Sequence, residues 1–351
     1  MVSMERSSHR VVVSEHGGPE VLSFIEEPMP IPGPDQARVR VFAAGVSGYD
    51  LMFRRSGRLP GTPKVPFTLG VDVVGVVDET GDAASGLTRG QVVAGWTMGA
   101  GGMGGYAEHV CLPVSDLVPV PDGVDPAAAV CVVVNYLTAH AMMHRVAGVQ
   151  AGERVLVHGA AGGVGSALVQ LGGLAGLELY ATASGTNSAV IEGLGATPID
   201  YRAEDFVARI RELTGDGVDV VFDPVGGGRQ LWHSYRTLRP GGRLVWFGVA
   251  STRDQGLRVI PGTLLTRLAL SLIPDGKRSP STPDLTKLGT AWYRETLSAL
   301  LNHLARGELA PLVAARIPLA EASRAHELLE RGGHAGKVVL VTGLTDGEWQ
   351  R

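Results

Sequence analysis

The fold of this chain is decided by Val155-Leu-Val-His-Gly-Ala-Ala-Gly-Gly-Val-Gly165, which Ser166-Ala-Leu-Val-Gln170 follows. A short apolar run ends in small residues and glycines, and an apolar-periodic segment begins, which predicts a buried strand turning tightly into a helix. Such a turn directs free backbone N–H groups and the positive end of a helix at one point, which suits a pyrophosphate. The stretch therefore predicts a dinucleotide-binding site.

Composition limits what else the protein can be. The chain has 351 residues, enough for two domains, and its net charge of −4 disfavours nucleic acid and anionic membranes as partners. The start, Met1 to Arg10, lacks the apolar segment of a signal peptide, and the apolar run Ala127 to Val134 is too short to span a bilayer. We expect a cytoplasmic protein that binds neither nucleic acid nor membrane.

Two patterns divide the sequence. Residues 1–125 contain β-branched runs separated by glycine and proline turns, which favours a β-rich, barrel-like domain. After Asp125, a good N-cap before Pro126, helices and strands alternate, which predicts the α/β class with a doubly wound parallel Rossmann sheet. The predicted strands are Arg154–His158, Glu178–Ala183, Val218–Asp223 and Arg243–Val249, with helices over Gly165–Ala175, Ser188–Leu194 and Asp205–Leu213. Later segments predict helices over Pro261–Ile273, Ala291–Arg306 and Leu319–Glu330, and a strand over Lys337–Val341.

The turn itself carries the cofactor prediction. Ala160 occupies the first glycine position of the dinucleotide fingerprint, where a small residue still allows the turn. Gly162 admits the phosphate and Gly165 lets the helix pack on the strand. The residues expected to contact the diphosphate are Ala161, Gly162, Gly163, Val164 and Gly165.

The second strand of this pattern bears on the choice of cofactor. It ends at Ser184 without the Asp or Glu that bonds the adenosine ribose in NAD enzymes. Ser184, Thr186 and Asn187 offer an uncharged pocket that does not repel a 2′-phosphate, so NADPH is favoured over NADH. In the alternative interpretation these three residues cap the next helix.

Five further motifs accompany the turn. They are Val134-Asn-Tyr-Leu-Thr-Ala139, Ile199-Asp-Tyr201, Val221-Phe-Asp-Pro-Val-Gly-Gly227, Leu238-Arg-Pro-Gly-Gly-Arg-Leu244 and Gly336-Lys-Val-Val-Leu340. With the β-rich front they make the chain resemble the medium-chain dehydrogenase/reductase superfamily, in its zinc-free quinone oxidoreductase (zeta-crystallin-like) branch. The first of these motifs is similar to the vesicle amine transport protein-like members.

The resemblance implies an architecture. Residues 1–125 would form a GroES-like catalytic domain that about residues 311–351 complete, and residues 126–310 a Rossmann nucleotide-binding domain. The active-site cleft would lie between them. A homodimer is implied through edge strands of the nucleotide-binding domains, and the apolar segment Pro261–Ile273 would either bury part of that interface or wall the substrate cleft.

The resemblance also assigns residues to the cofactor. Those implied to lie near the nicotinamide are Asn135, Thr138, Phe247 and Gly248. The loop from Asp223 through Val225 to Gly227 would lie beside the nicotinamide ribose. Tyr201 would stand near the adenosine phosphate, and Lys337 would line the cofactor cleft. Asn187 occupies a place where the family often has a lysine that meets the 2′-phosphate, a departure that weakens the preference for NADPH.

No metal is expected. Zinc-dependent relatives carry Cys and Gly-His-Glu where this chain has Ala44–Asp50 and Leu69–Asp72, so neither thiolate nor imidazole is present there. His140 and His144 lie one helical turn apart without a clear third ligand, so they are interpreted as surface or packed histidines. Cys111 and Cys131 lie in apolar company and are interpreted as buried, inert thiols.

These features predict hydride transfer from the nicotinamide to a quinone or to the β-carbon of an enone, that is, to a small apolar or aromatic carbonyl compound. Negative charge develops on the acceptor oxygen and needs a donor, for which Tyr49 is the first candidate. The alternative interpretation makes Tyr49 a pocket wall without chemistry. Ser47 is expected to bond cofactor or substrate, and Asp50 to be a structural cap.

The walls of the pocket are less well specified. Phe53, Trp96, Met98 and Met103 are candidates for apolar walls or for core packing, and the glycine-rich run 99–105 for a lid or a plain turn. Two other functions stay open. One is an enoyl-thioester or polyketide-type enoyl reductase, or a biosynthetic tailoring reductase; the other is a nucleotide-binding protein with a non-catalytic role.

Overall fold

The computed structural model describes residues 7–57, 62–98, 103–248, 259–280 and 285–343. The chain divides into two compact units. The first lies within residues 1–137, 288–332 and 337–351, and the second within 138–287 and 333–336. These boundaries differ from the predicted domain bounds mainly in assigning residues 126–137 and 288–310 to the first unit.

Among the described residues, the front of the chain is rich in strands, and helices and strands alternate in the middle. The strands are β1 (Ser7–Val13), β2 (Leu22–Pro28), β3 (Gln36–Val46), β4 (Phe67–Thr68), β5 (Asp72–Thr80), β6 (Val92–Trp96), β7 (His109–Pro113), β8 (Leu117–Pro119), β9 (Arg154–His158), β10 (Glu178–Ala183), β11 (Thr197–Asp200), β12 (Val218–Asp223), β13 (Leu238–Trp246), β14 (Val313–Pro318) and β15 (Lys337–Val341). The α-helices are α1 (Gly48–Arg55), α2 (Pro126–Cys131), α3 (Leu137–Ala141), α4 (Gly163–Leu174), α5 (Ser188–Gly193), α6 (Phe206–Thr214), α7 (Gly228–Thr237), α8 (Val259–Ser271), α9 (Thr290–Ala305) and α10 (Ala322–Arg331). Short π-helical turns, Val132–Tyr136 and Met142–Ala147, follow α2 and α3.

The first unit is a β structure, as the sequence predicts. Its larger sheet has the order β14-β15-β3-β5-β6-β8, with β7 paired to β3, and a three-stranded sheet has the order β2-β1-β4. The predicted strand Lys337–Val341 is observed as β15 and pairs antiparallel with β3. The C-terminal part of the chain therefore completes the front sheet, as the family resemblance implies.

One helix of the first unit differs from the sequence prediction. The pattern predicts a turn over Ser47–Asp50, whereas the structure begins α1 there. Ser47 and Asp50 form a capping box, in which the Ser47 hydroxyl accepts from the Asp50 N–H and the Asp50 carboxylate accepts from the Ser47 N–H. A Ser-x-x-Asp spacing is a recognised start of a helix, so the signal was present in the sequence.

The second unit is a parallel sheet with the order β11-β10-β9-β12-β13. The three predicted strands that form β9, β10 and β12 have the observed bounds. The fourth, predicted over Arg243–Val249, begins earlier, because Leu238 already pairs with Val218 before a register shift. Val249 lies outside the described residues.

Both faces of this sheet are covered. Adjacent residues of β9, Val155 and Leu156, point to opposite faces and are both buried, as are Val220 and Val221 of β12. Strands buried on both sides are typical of parallel sheets with helices on each face. The fold class is therefore α/β with a doubly wound parallel sheet, joined to a GroES-like β unit.

One helical stretch of the first and second units is long and apolar. Among the described residues, Pro126–Ala147 is long and apolar enough to cross a membrane by length and composition, and 78% of its apolar window is buried inside the protein. The sequence-based estimate covers only Ala127 to Val134, because Asn135 interrupts the apolar run. Asn135 is itself buried, and the helical path continues beyond it.

The side chain of Arg54 is completely buried in the first unit. Its guanidinium donates to the Glu330 carboxylate, to the Gly17 carbonyl at 3.2 Å and to His326 Nδ1 at 3.0 Å. Because arginine only donates, His326 carries its proton on Nε2, which donates to the Tyr106 hydroxyl oxygen at 3.1 Å. Burial and the two nearby arginines lower the pKa of His326 to about 3, so the ring is neutral.

Removing the anionic partner of Arg54 tests how much the buried ion pair contributes to the stability of the protein. We expect Glu330→Ala to lower the free energy of unfolding by about 3 kcal/mol, because a buried guanidinium loses its counter-charge. The matched control is Glu321→Ala, which removes an exposed carboxylate 2.7 Å from Arg324 and should change stability by less than about 0.5 kcal/mol. Urea unfolding measures both; equal losses would contradict the special role of the buried pair.

Candidate active site

The glycine turn lies at the carboxyl edge of the parallel sheet. β9 ends at His158, and α4 begins at Gly163 with Gly162 as its N-cap. No side chain caps this helix, so its first N–H groups stay available to a ligand. The helix dipole places positive charge at the same point, and the arrangement suits a diphosphate.

The turn is as tight as its residue types allow. A Cβ on Gly165 would lie 2.3 Å from the Gly159 carbonyl oxygen and 2.7 Å from Ala160 Cα. Both atoms belong to the backbone and cannot move aside cheaply. The Ala160 N–H donates to the Thr182 carbonyl at 3.2 Å, which fastens the turn to the end of β10. Close packing of α4 on the strand therefore requires glycine at residue 165.

Three polar residues follow β10 at the predicted adenosine end. The Ser184 and Thr186 hydroxyls lie 3.0 Å apart, and the Asn187 amide donates to the Ser184 hydroxyl at 3.3 Å. Neither Ser184 nor Asn187 makes a side-chain cap to the helical turns that follow. The interpretation of these residues as helix caps is therefore wrong for Ser184 and Asn187. Asn187 is buried and directed at Ser184.

One acidic residue at this end was missed. Asp200 ends β11, whose parallel register pairs it with Ala183. A Cβ on Gly185 would lie 2.5 Å from Asp200 Oδ2, so a carboxylate stands directly beside the polar cluster. Asp200 is part of the Ile199-Asp-Tyr201 motif, but only the strand pairing brings it next to Gly185. Tyr201 is exposed, and the Arg202 guanidinium lies 5.8 Å from its ring centre.

The predicted nicotinamide-side loop is organised by Asp223, which is fully buried at the end of β12. Its Oδ1 accepts from the Val225 N–H at 2.7 Å and the Gly226 N–H at 3.1 Å. Its backbone carbonyl accepts from the Phe247 N–H at 3.0 Å. Residues 223–227 and 247–248 are thereby held together at one edge of the sheet. Gly248 packs against this loop, since a Cβ there would lie 2.7 Å from the Pro224 carbonyl oxygen.

The other two nicotinamide-side candidates lie on the helical stretch that begins at Pro126. Asn135 is buried in the π-helical turn and belongs to the first unit, whereas Thr138 is half-buried in α3 and belongs to the second unit. Their roles toward a nicotinamide stay predictions.

Tyr49 lies in the first turn of α1 and exposes 57% of its surface. Its ring stacks on Phe53 with the ring centres 6.2 Å apart. The phenol is therefore accessible to a substrate, while Phe53 beneath it belongs to the core of the first unit. Of the two alternatives given for Phe53, the structure shows core packing.

Ser47 and Asp50 hold this turn. The Ser47 hydroxyl donates to Asp50 Oδ2 at 2.7 Å, and Asp50 Oδ1 accepts from the Gly70 N–H at 3.0 Å. Burial raises the pKa of Asp50, against the hydrogen bonds from Ser47 and Gly70 that lower it. Asp50 is thus a cap, as expected. The hydroxyl proton of Ser47 is engaged by Asp50, so Ser47 positions Tyr49 and can offer a ligand only a lone pair.

The other candidates for pocket walls have different surroundings. Met103 packs on the core of the first unit, and Trp96 lies against Tyr293 with ring centres 6.3 Å apart. Met98 is half-buried. Of the predicted glycine-rich lid, residues 99–102 lie outside the described residues.

Lys337, which the resemblance implies lines the cofactor cleft, is held in an ion pair. Its ammonium lies 2.6 Å from Asp72 Oδ2, and both side chains are almost completely buried. Asp72 belongs to the Leu69–Asp72 segment, where zinc-dependent relatives carry their ligands. A buried ion pair therefore occupies this position in the first unit.

Of the histidine and cysteine candidates, His144 is exposed, His140 is half-buried and Cys131 is buried. Cys111 is only half-buried, so the expectation of a buried thiol is wrong for this residue. The rings of His140 and His144 lie 4.4 Å apart, and burial, with the neighbouring positive charges, lowers the pKa of His140 to about 4. Burial raises the pKa of Cys111 to about 11 and that of Cys131 to about 12, so both stay thiols at neutral pH. Within the described ranges no group of three or more His, Cys, Asp or Glu side chains is arranged to hold a metal ion.

The site combines a parallel sheet, an uncapped helix after a glycine turn and, at the same edge, a loop held by a carboxylate. This arrangement is typical of a dinucleotide-binding oxidoreductase. Two family models match the chain: the alcohol dehydrogenase GroES-like domain over residues 33–122 and the zinc-binding dehydrogenase over residues 194–340. The chain belongs to the medium-chain dehydrogenase/reductase superfamily, whose members bind nicotinamide cofactors.

Individual relatives show which members of the superfamily this chain resembles. Human quinone oxidoreductase is 29% identical over 97% of this chain and 100% of its own length. A mycobacterial protein solved as a complex with NADPH is 31% identical with a TM-score of 0.83, covering 95% of this chain and 99% of that one. Homologs of the synaptic vesicle membrane protein VAT-1 also match. The resemblance to the quinone oxidoreductase and VAT-1 members of the superfamily is confirmed.

A larger protein also matches in part. A phenolphthiocerol/phthiocerol polyketide synthase polypeptide of Mycobacterium tuberculosis is 33% identical over 95% of this chain. This chain spans only 15% of the length of that synthase polypeptide. The overall activity and partners of the synthase therefore say little about this chain.

The zinc that the name of the second family model implies does not fit the residues present. Val71 stands in place of the histidine, and Asp72, next to it, is paired with Lys337. Zinc sites need about three N, S or O ligands converging on one point, and the neighbouring Asp50 is committed to the α1 cap.

The close approach at Gly165 leads to a direct test. We expect Gly165→Ala to destabilise the protein by about 2 kcal/mol, because the new methyl group meets backbone atoms, and to weaken nucleotide binding by displacing the turn. The control Gly173→Ala lies on the same helix with open space around it, and should be neutral or stabilising by up to about 1 kcal/mol. Thermal unfolding and NADPH titration calorimetry compare the two. If both variants behave alike, the turn is not sterically constrained.

Proposed function

We propose that this protein is a zinc-independent reductase that transfers a hydride from NADPH to a quinone or to the electron-poor C=C of an enone. One observation carries the proposal: the uncapped N-terminus of α4 follows a turn that admits no Cβ at Gly165, at the same sheet edge as the Asp223 loop. The quinone oxidoreductase relatives and the NADPH complex of a similar protein support it.

NADPH, when bound, supplies the hydride. The chain's own part would be to bind and orient it: the α4 amides would hold the diphosphate, and the loop that Asp223 fixes would hold the nicotinamide ribose. Hydride addition to the β-carbon of an enone leaves an enolate, whose oxygen needs a hydrogen-bond donor and whose α-carbon then takes a proton from solvent water. The Tyr49 phenol, accessible at the start of α1, provides that donor.

The substrate class follows from these groups. A site that relies on one phenol donor favours acceptors that are already polarised, such as small apolar or aromatic carbonyl compounds. The match to a polyketide synthase favours an enoyl-thioester reductase as the second candidate. Assays of NADPH oxidation with a benzoquinone, an enone and an enoyl thioester separate the two. Binding of NADPH without oxidation by any of the three acceptors would instead favour a non-catalytic nucleotide-binding role.

Assembly and location belong to the same proposal. We infer a cytoplasmic homodimer that binds neither nucleic acid nor membrane. Four leucines in or just beyond α8 expose most of their surfaces: Leu264, Leu265, Leu268 and Leu272. Light scattering of the purified protein tests the dimer.

The donor role of Tyr49 is tested by removing one oxygen atom. We expect Tyr49→Phe to lower kcat about 100-fold, because the loss of one hydrogen-bond donor to a developing oxyanion typically costs about that much. The control Tyr180→Phe removes a hydroxyl that donates to Glu178, and should leave kcat within about twofold. Steady-state kinetics with the best acceptor measures both. A loss below about threefold in Tyr49→Phe would make the ring a pocket wall.

The cofactor preference is tested beside Gly185. We expect NADPH to bind more tightly than NADH, and Asp200→Asn to strengthen NADPH binding by about threefold at low salt by removing a like charge near the 2′-phosphate. NADH affinity should not increase. The control Glu212→Gln removes an exposed negative charge on α6 and should change neither value. Tighter NADH binding in wild type would overturn the preference.

A further inference from the structure

A buried chain of hydrogen bonds runs beneath the carboxyl edge of the parallel sheet. It links Thr182 on β10, His158 at the end of β9, Ser234 on α7 and Asp223 at the end of β12. The distances are 2.8 Å from Thr182 Oγ1 to His158 Nδ1, 3.1 Å from His158 Nε2 to Ser234 Oγ, and 2.7 Å from Ser234 Oγ to Asp223 Oδ2. All four side chains are buried.

The Asp223 carboxylate at the end of this chain of hydrogen bonds determines which group donates and which accepts in each bond. A carboxylate in contact with two N–H groups and a hydroxyl is an acceptor, so Ser234 donates its only proton to Asp223. Ser234 must then accept from His158, which carries its proton on Nε2. His158 Nδ1 is left as an acceptor and accepts a hydrogen bond from the Thr182 hydroxyl. Burial lowers the pKa of His158, against the nearby charge of Asp223, which keeps the ring neutral.

Each end of the chain holds a different part of the edge. At one end, the Thr182 carbonyl accepts from the Ala160 N–H and so fastens the glycine turn. At the other, Asp223 fixes the loop that carries Val225 and Gly226. His158 directly precedes Gly159 and stands between the two ends, with its ring against Phe206 at 4.8 Å.

We infer that His158 is a positioning residue that couples the diphosphate-binding turn to the nicotinamide-side loop. The two halves of the dinucleotide site thereby keep a fixed position relative to each other. This inference rests on the proposed cofactor-binding function. A strand end that only needed filling would take an apolar side chain, which could not join Thr182 to Ser234. The sequence pattern identifies His158 only as the last residue of a strand.

The coupling is tested with a double-mutant cycle in the full-length protein. Thr182→Val removes the first donor with little change of shape, and Ser234→Ala removes the third link. Thr182 and Ser234 are joined through His158, so either change breaks the same chain. We expect each single variant to lower kcat about tenfold. The double variant should also lose about tenfold, and not the loss of about a hundredfold that independent effects would give.

Two further measurements separate positioning from plain stability. Thr182→Ser keeps the hydroxyl and should retain wild-type kcat. Adenosine 2′,5′-bisphosphate, which lacks the nicotinamide half, should bind Ser234→Ala within about threefold of wild type, so that the loss appears in kcat. If Ser234→Ala does not fold, Ser234→Cys, a weaker donor of similar size, takes its place in the cycle.

The outcomes are distinguishable. Multiplicative effects of the two substitutions, or a lower melting temperature with unchanged kcat, would overturn the coupling while leaving the reductase intact. Failure of the wild-type protein to bind NADPH would contradict the proposed function, and the inference would fall with it. Non-additive loss of kcat with rescue by Thr182→Ser supports it.

Discussion

The structure depends on the satisfaction of two buried carboxylates, Asp50 and Asp223. A carboxylate removed from water is tolerated only when its lone pairs find donors, and both find them mainly in the backbone of a neighbouring turn. The turns consequently have little freedom. In the first unit this fixes the start of α1, where Tyr49 stands; in the second it fixes residues 223–227. The need to satisfy a buried charge thus determines where the candidate functional groups lie.

Each carboxylate is approached by a chain containing one neutral histidine. His326 accepts a hydrogen bond from Arg54 and donates one to Tyr106, whose pKa is raised by burial and by Asp50, among other acidic neighbours. His158 plays the corresponding part between Thr182 and Ser234. A neutral imidazole has one donor and one acceptor, so it can transmit a hydrogen-bond direction through an apolar interior without bringing a charge. Burial, which lowers both pKa values, therefore also preserves both chains.

What the sequence could predict depended on local pattern. The bounds of β9, β10 and β12 are predicted correctly because mostly apolar runs end at clear glycine or polar signals. The glycine turn carries its own chemistry. Features that arise from contacts between distant segments were missed: Asp200 beside Gly185 requires the pairing of β10 with β11, and the link from His158 to Ser234 joins residues 76 positions apart. Lys337 matched a family position, but its partner Asp72 appears only when β15 meets the front sheet.

The ion pair between Lys337 and Asp72 also bears on the direction of the chemistry. Its charges cancel within 2.6 Å, so this position offers no net positive charge to stabilise an alkoxide. Oxidation of an unactivated alcohol requires such stabilisation from a metal or an equivalent cation. Reduction of a quinone or enone requires less, because the acceptor's own π system spreads the incoming charge and a hydrogen bond suffices at its oxygen. In the function that we propose, the accessible Tyr49 phenol would meet that smaller demand, on a turn that the buried Asp50 carboxylate holds.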